Sequence, residues 1–182
     1  MAVFAALGTA PALATSTTPT TPTATTPSTP STPVSQAPPP PHALLESPQL
    51  WATIDVCNPA DQLNTVGVRG SIPSDGHAKD ELYMRFRLQY LDSTTGQWVD
   101  LGSSADSGFL AVGAAKISRQ TGRSFQLVPV AGKPVTLRGV VSFQWRRGTR
   151  VEYAISRPTT TGHDSLAGAD PKGFSAAECS LS

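Results

Sequence analysis

The side chains that could carry out catalysis are few in this 182-residue chain, and they lie far apart in the sequence. A serine or cysteine nucleophile needs a base beside it, and His77 and His163 both lie in polar, turn-like segments. The segment GSSADSG contains Ser103, Ser104 and Ser107, but it lacks the GxSxG spacing of a nucleophile elbow. The segment therefore predicts a polar loop, and the sequence predicts a protein that is not an enzyme.

A second group of polar residues has the chemistry of metal ligands. In SDGHAKDE, the carboxylates of Asp75, Asp80 and Glu81 lie close to His77 in sequence. Oxygen ligands of this kind can hold calcium, but the spacing matches no EF-hand loop, and Asp-Gly is common in turns. We therefore expect a turn without a metal ion, and the chain has no glycine-rich phosphate loop that would indicate a cofactor.

Arginines recur at polar positions of the predicted strands and are candidates for ligand binding. Guanidinium groups suit carboxylate or phosphate recognition, so arginines that are neighbours in space would form a basic stripe for an anionic cell-envelope polymer. The alternative is a solvated sheet face on which the arginine stems cover apolar surface. The arginines concerned are Arg85 and Arg87 on one strand, Arg69 and Arg138 on others, and Arg146, Arg147 and Arg150 around a turn.

Tryptophans are the other candidates for ligand binding. Trp51 lies on the face of its predicted strand opposite the apolar residues, and Trp98 follows a turn. An exposed pair of this kind would stack on sugars, whereas packing against a disulfide or a sheet edge is the alternative for Trp51. Trp145 lies on the same face of its predicted strand as the apolar residues, so it is predicted to be buried.

The first 14 residues, MAVFAALGTAPALA, are typical of a signal peptide. They are uncharged and mostly apolar, and they end in Ala12-Leu13-Ala14, which suits a signal peptidase. The basic residue that usually precedes the apolar run is missing, so an apolar disordered tail is the alternative. A bilayer span takes about 20 apolar residues, so no stable membrane span is predicted.

Residues 15–47 predict a disordered linker. Residues 15–41 contain nine of the chain's 17 prolines and ten threonines, with no charged or aromatic residue. Proline fixes φ and lacks a backbone donor, so the segment is predicted to be an extended spacer that builds no core. The same composition is typical of O-glycosylated stalks, and the sequence leaves both interpretations open.

From residue 48 onward, apolar residues recur at every second position, as in strands with one buried face. The clearest strands are LYMRFRLQY and VTLRGVVSFQW, and Gly139 leaves a gap in the apolar row of the second. Turn residues at Arg147-Gly148 lead into a further strand, which completes a hairpin. Weaker strands are predicted at 50–56, 65–72, 97–101 and 124–130. About seven strands predict one all-β antiparallel sandwich over residues 48–182, with residues 102–123 undecided between strand and loop.

This order of elements resembles immunoglobulin-like sandwiches. The resemblance depends on LWATIDVCN followed by VGVRGSI, and on the late hairpin VTLRGVVSFQWRRGTRVEYAIS. It implies an exported immunoglobulin-like domain. The late strand has no cysteine and no tyrosine two residues before one, so the buried inter-sheet disulfide and the tyrosine corner do not carry over.

The two cysteines, Cys57 and Cys179, are predicted to form a disulfide, because export places the chain in an oxidising compartment. In the first strand, Ala52, Ile54 and Val56 are the residues that point inward. Because side chains alternate along a strand, Cys57 is expected to point away from the core unless a bulge intervenes. We therefore expect a peripheral, structural bridge that fastens the C-terminal tail to the sandwich.

Taken together, these features predict a noncatalytic secreted or cell-surface module for interaction or structure. A carbohydrate-binding module for cell-envelope glycans is the alternative, so the partners considered are a cell-envelope polysaccharide or another extracellular protein. The formal net charge is +1, from 14 basic and 13 acidic residues, so no nucleic-acid partner is predicted.

Overall fold

The computed structural model describes residues 37–38, 40–128, 133–163 and 167–182, so the predicted leader and the linker up to residue 36 lie outside it. The described residues contain one short α-helix, α1, one 3-10 turn and nine strands. Their bounds are α1 His42–Leu45, β1 Trp51–Cys57, β2 Thr65–Ile72, β3 Glu81–Asp92, β4 Gln97–Asp100, the 3-10 turn Ser103–Ala105, β5 Asp106–Ala114, β6 Arg119–Gln126, β7 Val135–Arg147, β8 Arg150–Pro158 and β9 Glu178–Leu181.

The strands form two antiparallel sheets. The small sheet has the order β1-β2-β6, and the large sheet has the order β4-β3-β7-β8. Strands β5 and β9 complete the large sheet, because β5 pairs with the first half of β3 and β9 pairs with the first residues of β7. The chain passes between the sheets from β2 to β3, from β5 to β6 and from β6 to β7. This arrangement confirms the predicted antiparallel sandwich.

The alternation of apolar residues places one row of each long strand in the core. Phe86 of β3 and Phe143 and Trp145 of β7 are fully buried, and they face Ile54 and Val68 of the small sheet. The indole N–H of Trp145 is satisfied because it donates to the Pro73 carbonyl over 3.0 Å. Burial of Trp145 is therefore confirmed.

Gly139, the gap in the apolar row of β7, marks a close approach between the sheets. A Cβ placed there would lie 2.7 Å from Thr159 Cγ2 and 2.8 Å from the methyl groups of Val68. The Thr159 side chain occupies this space and accepts a hydrogen bond from the Gly139 amide over 3.1 Å. Glycine is required here by the packing of three chain segments.

Nine described strands exceed the seven that the sequence predicts, and the additions lie where its alternation is weakest. Residues 102–123 contain β5, where the apolar residues are consecutive instead of alternating, and most of β6, whose residues are mainly polar. Neither pattern predicts the pairing of β5 with β3 and of β6 with β2. The strand expected at 124–130 ends at Gln126 and begins at Arg119 instead. Strand β9, in the C-terminal tail, has only four residues, too few for a periodic signal.

The folded part also begins earlier than residue 48. Leu44 and Leu45 pack against the core from α1, and the Ala154 amide donates to the Pro38 carbonyl over 3.2 Å. These two leucines are the first aliphatic pair after the proline run, which explains why the chain begins to pack there. His42 is exposed and lies 3.1 Å from Glu46.

The disulfide joins Cys57 of β1 to Cys179 of β9, with 5.6 Å between their Cα atoms, and it therefore links the two sheets. The prediction of a peripheral bridge is wrong, because Cys179 is 2% exposed and belongs to the core. The physical reason is an irregularity between Ile54 and Val56, where the register with β2 shifts and the alternation of β1 is broken.

Candidate binding face

The outer face of the large sheet, which points away from the small sheet, carries four of the arginines predicted from sequence. Alternation along β3 and β7 places their polar residues on this side, and the antiparallel register sets them side by side. We call this surface the outer face. Across the two central strands it pairs Tyr83 with Gln144, Arg85 with Ser142, Arg87 with Val140, and Gln89 with Arg138.

Two of these arginines are paired with acids from neighbouring strands. Arg85 binds Asp106 through two hydrogen bonds, one of them 2.8 Å from Nε to Oδ1, and Arg87 Nη1 lies 2.7 Å from Asp100 Oδ2. The hydrogen bond from Arg85 lowers the pKa of Asp106, and the same bond raises the pKa of Arg85. Their charges are largely compensated, so the structure does not form a continuous basic stripe.

Arg138 lies on Trp98 instead of beside a carboxylate. Its guanidinium carbon is 4.4 Å from the centre of the Trp98 ring, and its Nε donates to Gln89 Oε1 over 2.8 Å. Burial lowers the pKa of Arg138, and the charge of nearby Glu178 opposes that shift. In the described part of the chain Arg138 forms no ion pair, so it is a partly desolvated cation whose charge is undercompensated.

Arg146 repeats this arrangement at the other end of β7. Its guanidinium carbon is 4.0 Å from the centre of the Tyr83 ring and 4.9 Å from that of Phe109, and Nε donates to Gln144 over 2.7 Å. Arg146 likewise has no ion pair among the described residues. Stacking on the rings fixes the plane of each guanidinium, which prepares it for a planar anion.

The remaining predicted arginines lie elsewhere. Arg147 ends β7 and Arg150 begins β8, on either side of the hairpin turn. Arg147 lies 2.6 Å from Asp80, and Arg150 lies 3.6 Å from Glu152. Arg69 belongs to the small sheet, where its Nε donates to the buried Asp55 over 2.7 Å. The structure therefore does not bring these three to the outer face.

Trp51 and Trp98 are not brought together. Trp51 begins β1 of the small sheet and stacks on His163, with 4.4 Å between ring centres and 17° between planes. Trp98 is on β4 of the large sheet and carries the Arg138 guanidinium. Both are half-buried, each has one partner on its ring, and they belong to different sheets.

The serines of GSSADSG have structural roles in the described chain. Ser103 and Ser104 lie in the 3-10 turn. The hydroxyl of Ser107 accepts a hydrogen bond from the Phe86 amide over 2.9 Å and donates to the Gly108 carbonyl over 2.7 Å. This bonding anchors the start of β5 to β3 and leaves the hydroxyl occupied.

The loop between β2 and β3 brings together three of the four residues in SDGHAKDE. One ligand atom from each of Asp75, His77 and Asp80 lies within 4.8 Å of the others. Glu81 is directed elsewhere, because it accepts a hydrogen bond from the Tyr83 hydroxyl over 2.8 Å. The sequence predicts only a turn here, because the distances between Asp75, His77 and Asp80 depend on how the loop folds over Asp80.

Sequence reasoning missed the aromatic and amide partners on the outer face. Tyr83, Gln89 and Gln144 share the parity of the arginines in LYMRFRLQY and VTLRGVVSFQW, and this shared parity was a usable signal. Phe109 lies in the stretch that the sequence left undecided, so its position beside Arg146 and Arg85 needed the structure.

The fold defines the chain as an antiparallel two-sheet β-sandwich. No protein-family model matches it, and no curated protein does. A search of solved structures finds the Pseudomonas fluorescens alkylpurine DNA glycosylase AlkC bound to DNA containing an abasic site analog, at 15% identity and a TM-score of 0.32; the match covers 61% of this chain and 29% of that one. Within the described residues, no helix has the length and apolar character needed to cross a membrane.

Proposed function

We propose that this chain is a noncatalytic, exported binding module whose outer face recognises carboxylate or phosphate groups of a cell-envelope polysaccharide. The observation that carries the proposal is the pair of guanidinium groups at Arg138 and Arg146. Each rests on aromatic rings, is oriented by a glutamine, and has no ion pair in the described chain. An anion placed against them would compensate charge that the protein leaves uncompensated.

An acidic polymer fits this surface better than a neutral sugar does. Neutral sugars stack on free aromatic faces, but a guanidinium covers one face of the Trp98 ring and another covers the Tyr83 ring. Trp51, in the other sheet, is stacked on His163. Among carbohydrate ligands, these contacts therefore favour an acidic glycan.

Export is supported by two features from different parts of the chain. The signal-peptide-like sequence of residues 1–14 is one, and the Cys57–Cys179 disulfide is the other, since disulfides persist in oxidising compartments. The linker that the sequence predicts between leader and sandwich would act as a spacer ahead of the folded part.

Co-sedimentation of the full chain with isolated cell-wall polymers tests this function. We expect retention on polymers that carry carboxylates or phosphates, and weaker retention at high salt, because charge-driven binding is screened. Arg138→Gln and Arg146→Gln should each weaken binding by about tenfold or more, since a hydrogen bond to a charged group contributes about 1.5–3 kcal/mol.

Arg123→Gln is the matched control, because Arg123 is exposed and lies on β6 of the small sheet, away from both guanidinium stacks. It removes the same charge and should change retention less than twofold. Equal losses from all three variants would show that net charge alone drives binding, and retention on a neutral polymer only would contradict the proposal.

A further inference from the structure

The loop between β2 and β3 holds a buried carboxylate oxygen that has no hydrogen-bond donor. The side chain of Asp75 is 3% exposed. Its Oδ1 accepts a hydrogen bond from the His77 amide over 2.8 Å, but no group in the described chain donates to Oδ2. Leaving a buried carboxylate oxygen unpaired is costly, and a proton or a cation at that oxygen removes the cost.

Asp80 supplies a second carboxylate, which is held in place by Arg147. Arg147 donates through Nε to Oδ1 over 2.6 Å and through Nη2 to Oδ2 over 3.0 Å. These bonds lower the pKa of Asp80 and keep it ionised. Each carboxylate oxygen has two lone pairs, so one on each oxygen is still available to another ligand.

His77 adds a nitrogen at the open side of the loop. Its Nδ1 lies 3.6 Å from Asp75 Oδ2, which is too long for a good hydrogen bond. Two ligand atoms that share one tetrahedral zinc ion at about 2.0–2.1 Å are roughly 3.4 Å apart, so the observed separation suits a shared ion. The side chain of His77 is 60% exposed, which leaves the nitrogen accessible.

We propose that Asp75, His77 and Asp80 bind one divalent ion of the zinc class, with water in the fourth position. One nitrogen and two carboxylate oxygens make a ligand set for such an ion, whereas calcium requires six to eight oxygens. A cleft of about 400 Å³, lined by Leu44, Ser74, Asp75, His77 and Tyr153 among others, gives access from solvent. The bound ion would tie the loop together at the end of the sandwich.

The charges around the site limit its affinity without abolishing it. Asp75 and Asp80 contribute two negative charges when ionised, and Arg147 contributes one positive charge. Burial raises the pKa of Asp75, and neighbouring Asp80 raises it further, so a proton competes with the ion.

Isothermal titration of the full chain with Zn²⁺, with Mn²⁺ and Ca²⁺ for comparison, tests the proposal. We expect one Zn²⁺ per chain at pH 7.5, weaker Mn²⁺ binding and no saturable Ca²⁺ binding. His77→Ala and Asp75→Asn should each weaken Zn²⁺ binding by about 100-fold or more. Loss of a residue that only hydrogen-bonds to a metal ligand usually weakens metal binding by about 10- to 100-fold, so a direct ligand should cost at least as much. The matched control is His42→Ala, which removes an exposed histidine beside Glu46 and should leave Zn²⁺ binding unchanged.

Thermal unfolding with and without Zn²⁺ separates a lost ligand from a damaged fold. Asp75→Asn keeps the shape of the side chain and removes an unpaired buried charge, so without metal it should unfold at the wild-type temperature or higher. Zn²⁺ should raise the unfolding temperature of the wild type and not that of the variant. Absence of saturable Zn²⁺ binding by the wild type, or binding by His77→Ala and Asp75→Asn as tight as that of the wild type, would overturn the proposal.

Discussion

Removing the disulfide is the perturbation whose effect on stability follows most directly from the structure. Cys57 and Cys179 are 122 residues apart in sequence, so the bond closes nearly the whole folded part of the chain. It also holds β9, which has only four residues and pairs with β7 alone. The variant considered is the double substitution Cys57→Ala and Cys179→Ala.

The expected loss follows from the length of the closed loop. In the chain-entropy model, a bond that closes a loop of this length stabilises the folded state by up to about 5 kcal/mol, because it restricts the unfolded chain. Domains of this size are usually stable by about 5–15 kcal/mol. The double variant is therefore expected to lose a third or more of the total free energy of unfolding.

Urea unfolding followed by tryptophan fluorescence measures this loss. At an m-value of about 2 kcal/mol/M, a loss of 4–5 kcal/mol lowers the midpoint by roughly 2 M. Reduced wild type should match the double variant, and reductant should not change the double variant. A midpoint shift below about 0.5 M would refute the reasoning, because it would show that strand pairing holds the tail without help from the bond.

Two further predictions concern packing and pH. Gly139→Ala should destabilise the fold by about 1–3 kcal/mol in the same urea assay, since its Cβ would overlap the Val68 methyl groups, whereas at Gly70 the nearest side-chain atom is 3.1 Å away and alanine should cost less. Asp106→Asn should destabilise the fold at pH 7. The pKa of Asp106 is lowered by Arg85 in the folded state, so the contribution of this carboxylate is present above its unfolded pKa and is lost as the pH falls through the folded value. Wild type and Asp106→Asn should therefore converge in stability as the pH falls through the folded pKa of Asp106, and a difference independent of pH would contradict the ion pair.

The sandwich could be predicted from sequence because its central strands are long and have one apolar face and one polar face. Apolar residues alternate along most of β3, and along β7 apart from Gly139 and Val140, so the buried rows of both strands, including Phe86 and Trp145, follow from a period of two. Strands β5 and β6 lie at sheet edges and lack a buried row that alternates, and pairing with β3 and β2 stabilises them more than their own composition does.

The candidate site could be predicted only in part, for a physical reason. Parity assigns Arg85, Arg87 and Arg138 to a polar face, but it does not tell which of them meets a carboxylate from another strand. That depends on the register that sets Asp106 and Asp100 beside β3. The direction of Cys57 toward the bridge likewise depends on a local irregularity in β1, which a strict alternation rule does not include.

The most direct test of the central claim is to map where an acidic glycan contacts the folded chain. The measurement is an NMR titration of the isotope-labelled full chain with a soluble oligouronate, followed through backbone amides and arginine side chains. We predict that the largest shifts fall at Arg138, Arg146 and their ring partners Trp98 and Tyr83 on the outer face. Shifts that cluster on the small sheet, or the absence of saturable shifts with the oligouronate and with a phosphate-bearing cell-wall fragment, would contradict the account.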